Sequence, residues 1–175
     1  FFFLFYLIYY NICSNADQIY RTYMTFFPPL LYPMHSAATP GIAYPFYIKD
    51  FPQIQYASRV SGMGTTVRHK GDNISEDISL VDADIADVFD FEIISGDIST
   101  SLKDNSSIAL SQALATKYFG EEQAIGEVLT LDFSGLVRDY KVTAVYKDFP
   151  RNTTVNMPAF VLIDEADWVD RPWMF

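Results

Sequence analysis

Residues 1 to 10 form an unbroken apolar block, Phe1, Phe2, Phe3, Leu4, Phe5, Tyr6, Leu7, Ile8, Tyr9 and Tyr10. A helix that crosses a bilayer needs about 20 apolar residues, so the block is long enough for half a span. Residues 1–14 therefore read as the C-terminal part of a transmembrane helix, with Tyr6, Tyr9 and Tyr10 at the level where amphipathic rings collect. The first positive charge is Arg21, and a span end without Lys or Arg suits the non-cytoplasmic side. A buried strand or core helix would carry the same pattern. A secretory signal would need a basic leader region and a small-residue cleavage site, and the block has neither. The chain opens without Met and stops in an aromatic, apolar run (Trp168, Trp173, Met174, Phe175), so it is expected to be a fragment of a larger protein.

From Asn15 onward the pattern turns mixed. Asn15 is placed to cap a short helical turn over Ala16 to Ile19, leading into an extended run, Tyr20 to Phe26. Pro28, Pro29 and Pro33 then stop regular structure. Thr39 before Pro40 opens a helix towards Lys49, against which Pro45 counts as an interior breaker. Residues 53–61, 64–70 and 74–80 carry strand signals separated by Gly62 and by the turn Gly71, Asp72, Asn73, which predicts an antiparallel meander. Asp82 then caps a short helix with Ile85, Val88 and Phe89 on its apolar side and Asp84, Asp87 and Asp90 towards water.

The second half has the clearest periodicity. Ile108 to Leu110 is a short strand and Ser111 an N-cap; helix 112–119 puts Leu114, Ala115, Tyr118 and Phe119 on one side, and Gly120 ends it. Leu129, Leu131 and Phe133 alternate with Val128, Thr130 and Asp132. After a turn at Ser134 and Gly135, Tyr140, Val142, Ala144 and Tyr146 alternate with Lys141, Thr143, Val145 and Lys147. Short helices and hairpins in irregular order define an α+β fold class.

Charge and chemistry narrow the function. Twelve Lys and Arg face 22 Asp and Glu, a net charge of -10, and a phosphate backbone would be repelled, so no nucleic acid partner is expected. The single cysteine, Cys13, has no partner for an internal disulfide and no nearby His to activate it. Neither a Gly-rich phosphate loop followed by Lys nor a Gly-x-Ser-x-Gly elbow occurs. His35 and His69 lack Cys or carboxylate neighbours at zinc-ligand spacing and read as ordinary surface or core histidines.

One acidic region stands out. Asp72, Glu76, Asp77, Asp82, Asp84, Asp87, Asp90, Glu92, Asp97 and Asp104 face a single base, Lys103. A calcium loop needs oxygen ligands at alternating positions, and Ala86 breaks the series begun by Asp82 and Asp84. A catalytic carboxylate pair stays open as a reading, while solvated helix and hairpin faces explain the acids most simply. The Asn-x-Ser/Thr sequences at Asn73, Asn105 and Asn152 are at chance level for this composition.

The run from Ser107 to Pro150 carries a strand and a helix ending in Phe119-Gly120, then Ala124-Ile125-Gly126, a strand over Tyr140 to Val145, and Asp148-Phe149-Pro150. In this order it resembles the extracytoplasmic core domain of MacB/FtsX-type ABC transporter permeases. Asn15 to Arg21 resembles the segment just after the first transmembrane helix of that family. Phe51-Pro52 with Val60, and Val81-Asp82 through Val88 to Phe91 and on to Ser95-Gly96-Asp97, are similar to further family motifs. Ala144 departs from the family, which usually has Gly there, and the region from Pro28 to Pro45 matches weakly.

The resemblance implies a two-part domain between the first and second membrane helices. One part is built of porter-like βαβ units, and residues 108–147 form a small inserted helix-and-hairpin module within a core domain over residues 15–175. It implies no catalytic, cofactor-binding or metal residues and no cofactor, because ATP is hydrolysed on a separate cytoplasmic domain or subunit. The implied partners are an ABC ATP-binding subunit, a second permease subunit in a dimer, the membrane, and a periplasmic or outer-membrane protein. The implied location is the bacterial cytoplasmic (inner) membrane with the domain facing outward. The residues by themselves leave open a membrane-anchored module that senses or binds a peptide or calcium through the acids of 72–104.

Overall fold

The computed structural model describes residues 16–26, 32–36, 39–150, 153 and 155–164. Its strands are β1 (Met24–Phe26), β2 (Met34–Ser36), β3 (Val60–His69), β4 (Asp72–Val81), β5 (Ile93–Gly96), β6 (Ser107–Ser111), β7 (Val128–Phe133), β8 (Leu136–Tyr146) and β9 (Ala159–Leu162). The helices are α1 (Tyr44–Asp50), α2 (Ile85–Val88), α3 (Ile98–Ser101) and α4 (Gln112–Phe119), with single 3-10 turns at Ala16–Gln18 and Gly41–Ala43. The α+β class expected from the sequence is the class observed. No helix among the described residues is long and apolar enough to cross a membrane. Residues 1–14, with Cys13 and the expected span, lie outside the described residues, as do Asn15 and Asn152.

β1 and β2 pair with each other, and the other seven strands form one sheet in the order β5-β8-β6-β9-β4-β3-β7. β8 also pairs with β7, so six of the strands close into a ring. The closure is possible because β8 is eleven residues long. Its first half, Leu136 to Lys141, is antiparallel to β7, and its second half is parallel to β6 on one edge and antiparallel to β5 on the other. Residues 108–147 thus supply three strands of the same sheet as the β3–β4 hairpin.

Two apolar cores lie on opposite faces of this sheet. The first draws Val67, Ile78, Leu110, Leu131, Phe133 and Val161 from strands all round the ring, together with Leu114, Ala115 and Phe119 of α4, and so fills the interior. The second packs Ile85 of α2 and Leu102 after α3 against Ala109, Ala144, Tyr146 and Phe160. Phe91, Tyr146, Phe149 and Phe160 form its aromatic centre, with ring centroids 5.2 to 6.2 Å apart. Burial raises the phenol pKa of Tyr146, and its hydroxyl donates to the Met157 carbonyl at 2.6 Å. The phenol is buried with its polar end satisfied.

Several local expectations hold for local reasons. Ser111 Oγ accepts from the Leu114 N–H at 3.3 Å, and Gly120 ends α4 with φ 64°. Leu129, Leu131 and Phe133 are buried while the intervening residues are not. Elsewhere longer-range structure overrides the pattern. The meander is a single hairpin: residues 54–59 are irregular, and β3 runs unbroken through Gly62, which pairs with Ser79. Pro45 does not break a helix, because a 3-10 turn over Gly41–Ala43 moves the α-helical start to Tyr44 and leaves Pro45 in the first turn.

The largest departure lies on β8. The register against β6 shifts between Val142 and Ala144, leaving Thr143 out of the ladder as a β-bulge. Tyr140, Val142 and Val145 therefore face the first core, while Ala144 and Tyr146 face the second. The bulged residue is held from outside β8: its carbonyl accepts from the Asp97 N–H at 2.9 Å, and its hydroxyl bonds Ser101 Oγ at 2.5 Å. Gly96 approaches so closely that a Cβ would collide with the Thr143 carbonyl oxygen, and its φ is +79°.

Gly96→Ala is accordingly expected to cost about 3 kcal/mol or more in urea unfolding. Gly126→Ala tests whether backbone conformation alone accounts for this, since Gly126 also has a positive φ, +94°, but nothing lies within 4 Å of an added Cβ. It is expected to cost only about 1 kcal/mol.

Candidate functional site

Register brings together two residues far apart in sequence. Val60 pairs with Val81, so Arg59, just before β3, meets Asp82, just after β4. The Arg59 backbone N–H donates to Asp82 Oδ2 at 2.7 Å. Its guanidinium engages both carboxylate oxygens, Nη2 to Oδ1 at 2.7 Å and Nε to Oδ2 at 3.0 Å. The Asp82 N–H donates to Ser58 Oγ at 3.2 Å. The two charged side chains are only 14% and 12% exposed, so this forked pair is shielded in a way a surface ion pair is not. Asp82 does not cap α2 with its side chain as expected; its carbonyl takes the Ile85 N–H, and its carboxylate serves Arg59.

The clamp reaches one element further. The Arg59 guanidinium lies over the Tyr44 ring at 4.9 Å, a cation–π contact that ties α1 to the hairpin. Burial, then the nearby charges of Asp82 and Asp84, raise the Tyr44 phenol above its ordinary value and keep it neutral there. α1 itself has no buried residue. Most of the exposed large apolar side chains among the described residues lie between Tyr20 and Val60, including Ile42 at 60%, Phe46 at 56% and Phe51 at 52%.

The acids of 72–104 are spread over several elements and put to local use. Glu76 accepts from Lys117 at 2.5 Å and from the Tyr118 hydroxyl at 2.8 Å, which fastens α4 to the hairpin. That hydrogen bond, after burial, raises the Tyr118 pKa. Glu92 pairs with Lys147 at 2.9 Å. Asp97 caps α3 by accepting from the Ser99 N–H at 2.9 Å, and Asp104 accepts from the Ser106 N–H at 3.0 Å. Among the described residues no three His, Cys, Asp or Glu side chains gather as a metal would require. His35 Nδ1 bonds Thr25 Oγ1 at 2.9 Å. His69 is far along the chain in β3 and stands edge-on to Tyr118 and Phe119, with Nε2 buried and unbonded. A groove at the start of α4 is lined by Ser111, Lys117 and Asp148, whose carboxylate accepts from the Ala113 N–H at 3.1 Å.

Arg59 is the residue that reading along the chain misses. Its partner lies 23 positions away, and only the strand register makes them neighbours. The available signal was indirect: one of 12 basic residues stands at the mouth of a hairpin whose other end is Asp82.

The chain belongs to the family of MacB-like periplasmic core domains, whose family model matches residues 13–172. A domain assigned to a permease protein of Porphyromonas gingivalis shares the fold, with a TM-score of 0.65 at 22% identity over 82% of this chain and 59% of that one. The extracellular domain of the noncanonic ABC-type transporter YknZ from Gram-positive bacteria aligns at 15% identity over 62% of this chain and 55% of that one, TM-score 0.49. The periplasmic region of MacB from Actinobacillus actinomycetemcomitans aligns at 11% identity over 70% of this chain and 55% of that one, TM-score 0.48. The chain thus spans between 55% and 59% of the length of these structures. Among curated proteins, none matches its sequence.

Two measurements check the site. Arg59→Ala leaves a shielded carboxylate without its counter-ion and is expected to cost about 2 kcal/mol, with Arg59→Lys recovering only part because a lysine cannot fork. Calorimetric melting of the three proteins distinguishes these outcomes. The second concerns acid. The hydroxyl and N–H of Ser99 hold the Asp97 carboxyl below its ordinary value, and the N–H and hydroxyl of Ser106 do the same for Asp104. A folded-state pKa below the unfolded one gives stability that is whole above the unfolded value of 3.8 and is lost as pH falls through the folded one. The melting-temperature gap between the wild type and Asp97→Asn should therefore narrow between about pH 6 and about pH 3.

Proposed function

We propose that this chain is the outward-facing part of an ABC transporter permease subunit, which couples ATP-driven motion of the membrane helices to export or to partner proteins. Residues 1–14 are the end of a membrane helix, residues 15–175 the core domain, and residues 108–147 a module inserted in it. ATP is hydrolysed on a separate cytoplasmic domain or subunit, a second permease subunit completes the dimer, and the assembly sits in the bacterial cytoplasmic (inner) membrane. The observation that carries the coupling role is the Arg59 clamp. It joins Tyr44 of α1, on the path from the membrane end, to both strands of the β3–β4 hairpin through one side chain. A displacement of α1 would thereby reach the sheet through this contact as well as along the chain.

In the full permease reconstituted with its ATP-binding subunit, Arg59→Ala is expected to lower transport about tenfold while ATP hydrolysis continues. Transport that survives the substitution unchanged would remove the coupling role from this contact. Equal loss of both activities would mean that the domain is needed for assembly instead.

A further inference from the structure

We propose that the free edge of β5 takes up an extended, positively charged segment of a partner protein as an added strand. β5 ends the sheet: it pairs with β8 on one side, and no strand among the described residues pairs with its other side. All four of its residues are exposed, with Ile93 at 38% and Ile94 at 49%. Edge strands are usually protected by lysine, proline or an inward charge, because unpaired N–H and C=O groups invite another chain. β5 carries none of these three; its blunting is limited to its four-residue length and the register irregularity between Ile93 and Ser95, and it offers two adjacent isoleucines. In strand addition the main chain supplies affinity and alternate side chains supply selectivity, and an exposed Ile pair suits that mode.

Charge chooses the occupant. No Lys or Arg occurs between Lys70 and Lys103, while Asp87, Asp90, Glu92 and Asp97 bracket β5 within the sequence. Glu92 meets Lys147 of β8, while Asp97 is hydrogen-bonded by neutral hydroxyl and amide groups, with Lys103 as the cation that acts on it. An acidic or neutral strand would gain little here, whereas one with basic residues at alternate positions would set cations by the acids. The edge carries the proposal and the acids set the sign of the partner.

The test uses the full 175-residue chain in detergent and fluorescence anisotropy with a labelled peptide of alternating Lys and Val. Binding is expected, and it should weaken about tenfold in an otherwise identical peptide N-methylated at alternate residues, which cannot donate to a strand edge. A peptide of alternating Glu and Val should not bind. Ile94→Lys, at a half-exposed position, should weaken binding about tenfold with the melting temperature unchanged. Equal binding of the methylated and unmethylated peptides would overturn strand addition in favour of diffuse electrostatics, and so would Ile94→Lys binding as the wild type does. The methylation comparison requires no variant to fold.

Discussion

Thr143 is where the fold is decided. If β8 alternated regularly to its end, Ala144 and Tyr146 would join Tyr140 and Val142 inside the ring, and the outer face would have nothing to build on. The bulge turns the strand over after Val142, so that one strand serves two cores on opposite faces. It persists because its carbonyl and its hydroxyl are met from another part of the chain, the one by the Asp97 N–H and the other by Ser101. Gly96 is what allows that approach, since any side chain there would meet the Thr143 carbonyl. The turn from β5 into α3 and the second core thus rest on a single irregular residue.

The Arg59 clamp follows a different logic from the cores. Apolar packing is non-directional and tolerates small shifts, whereas a forked pair with a ring beneath it fixes position and angle together. Placed at the mouth of a hairpin, where two strands and a helix meet, the shielded pair fixes all three against one another. The apolar stretch before Val60 stays on the surface, available for contact, while its far end is held.

What could be read from the sequence follows the range of the interactions involved. α4 is legible from Ser111 to Gly120 because both caps act within four residues of the helix ends. The Leu129, Leu131, Phe133 alternation is legible because β7 has one wet face. Gly62 misleads because a glycine in a long hairpin strand looks the same as one in a turn until its partner, Ser79, is known. The split of Tyr140 and Val142 from Ala144 and Tyr146 depends on Asp97 and Ser101, more than 40 residues earlier in the chain, and no local pattern encodes it. Asp82 reads as a helix cap along the chain, but its carboxylate serves Arg59, which only register reveals. The family resemblance reached further than periodicity because ordered motifs carry such distant pairings implicitly.

The position of β9 has a consequence for how the domain comes into being. Although it is formed by residues 159–162, it lies in the middle of the sheet, parallel to β4 and antiparallel to β6. As the polypeptide emerges, β4 and β6 are both made long before the strand that joins them, and each presents an unsatisfied edge in the meantime. The ring cannot zip up from its first strand to its last; it waits for a late insertion between two existing halves. Folding dominated by such distant pairings is slow, and the interval before β9 arrives is when the chain is most open to mispairing with its neighbours.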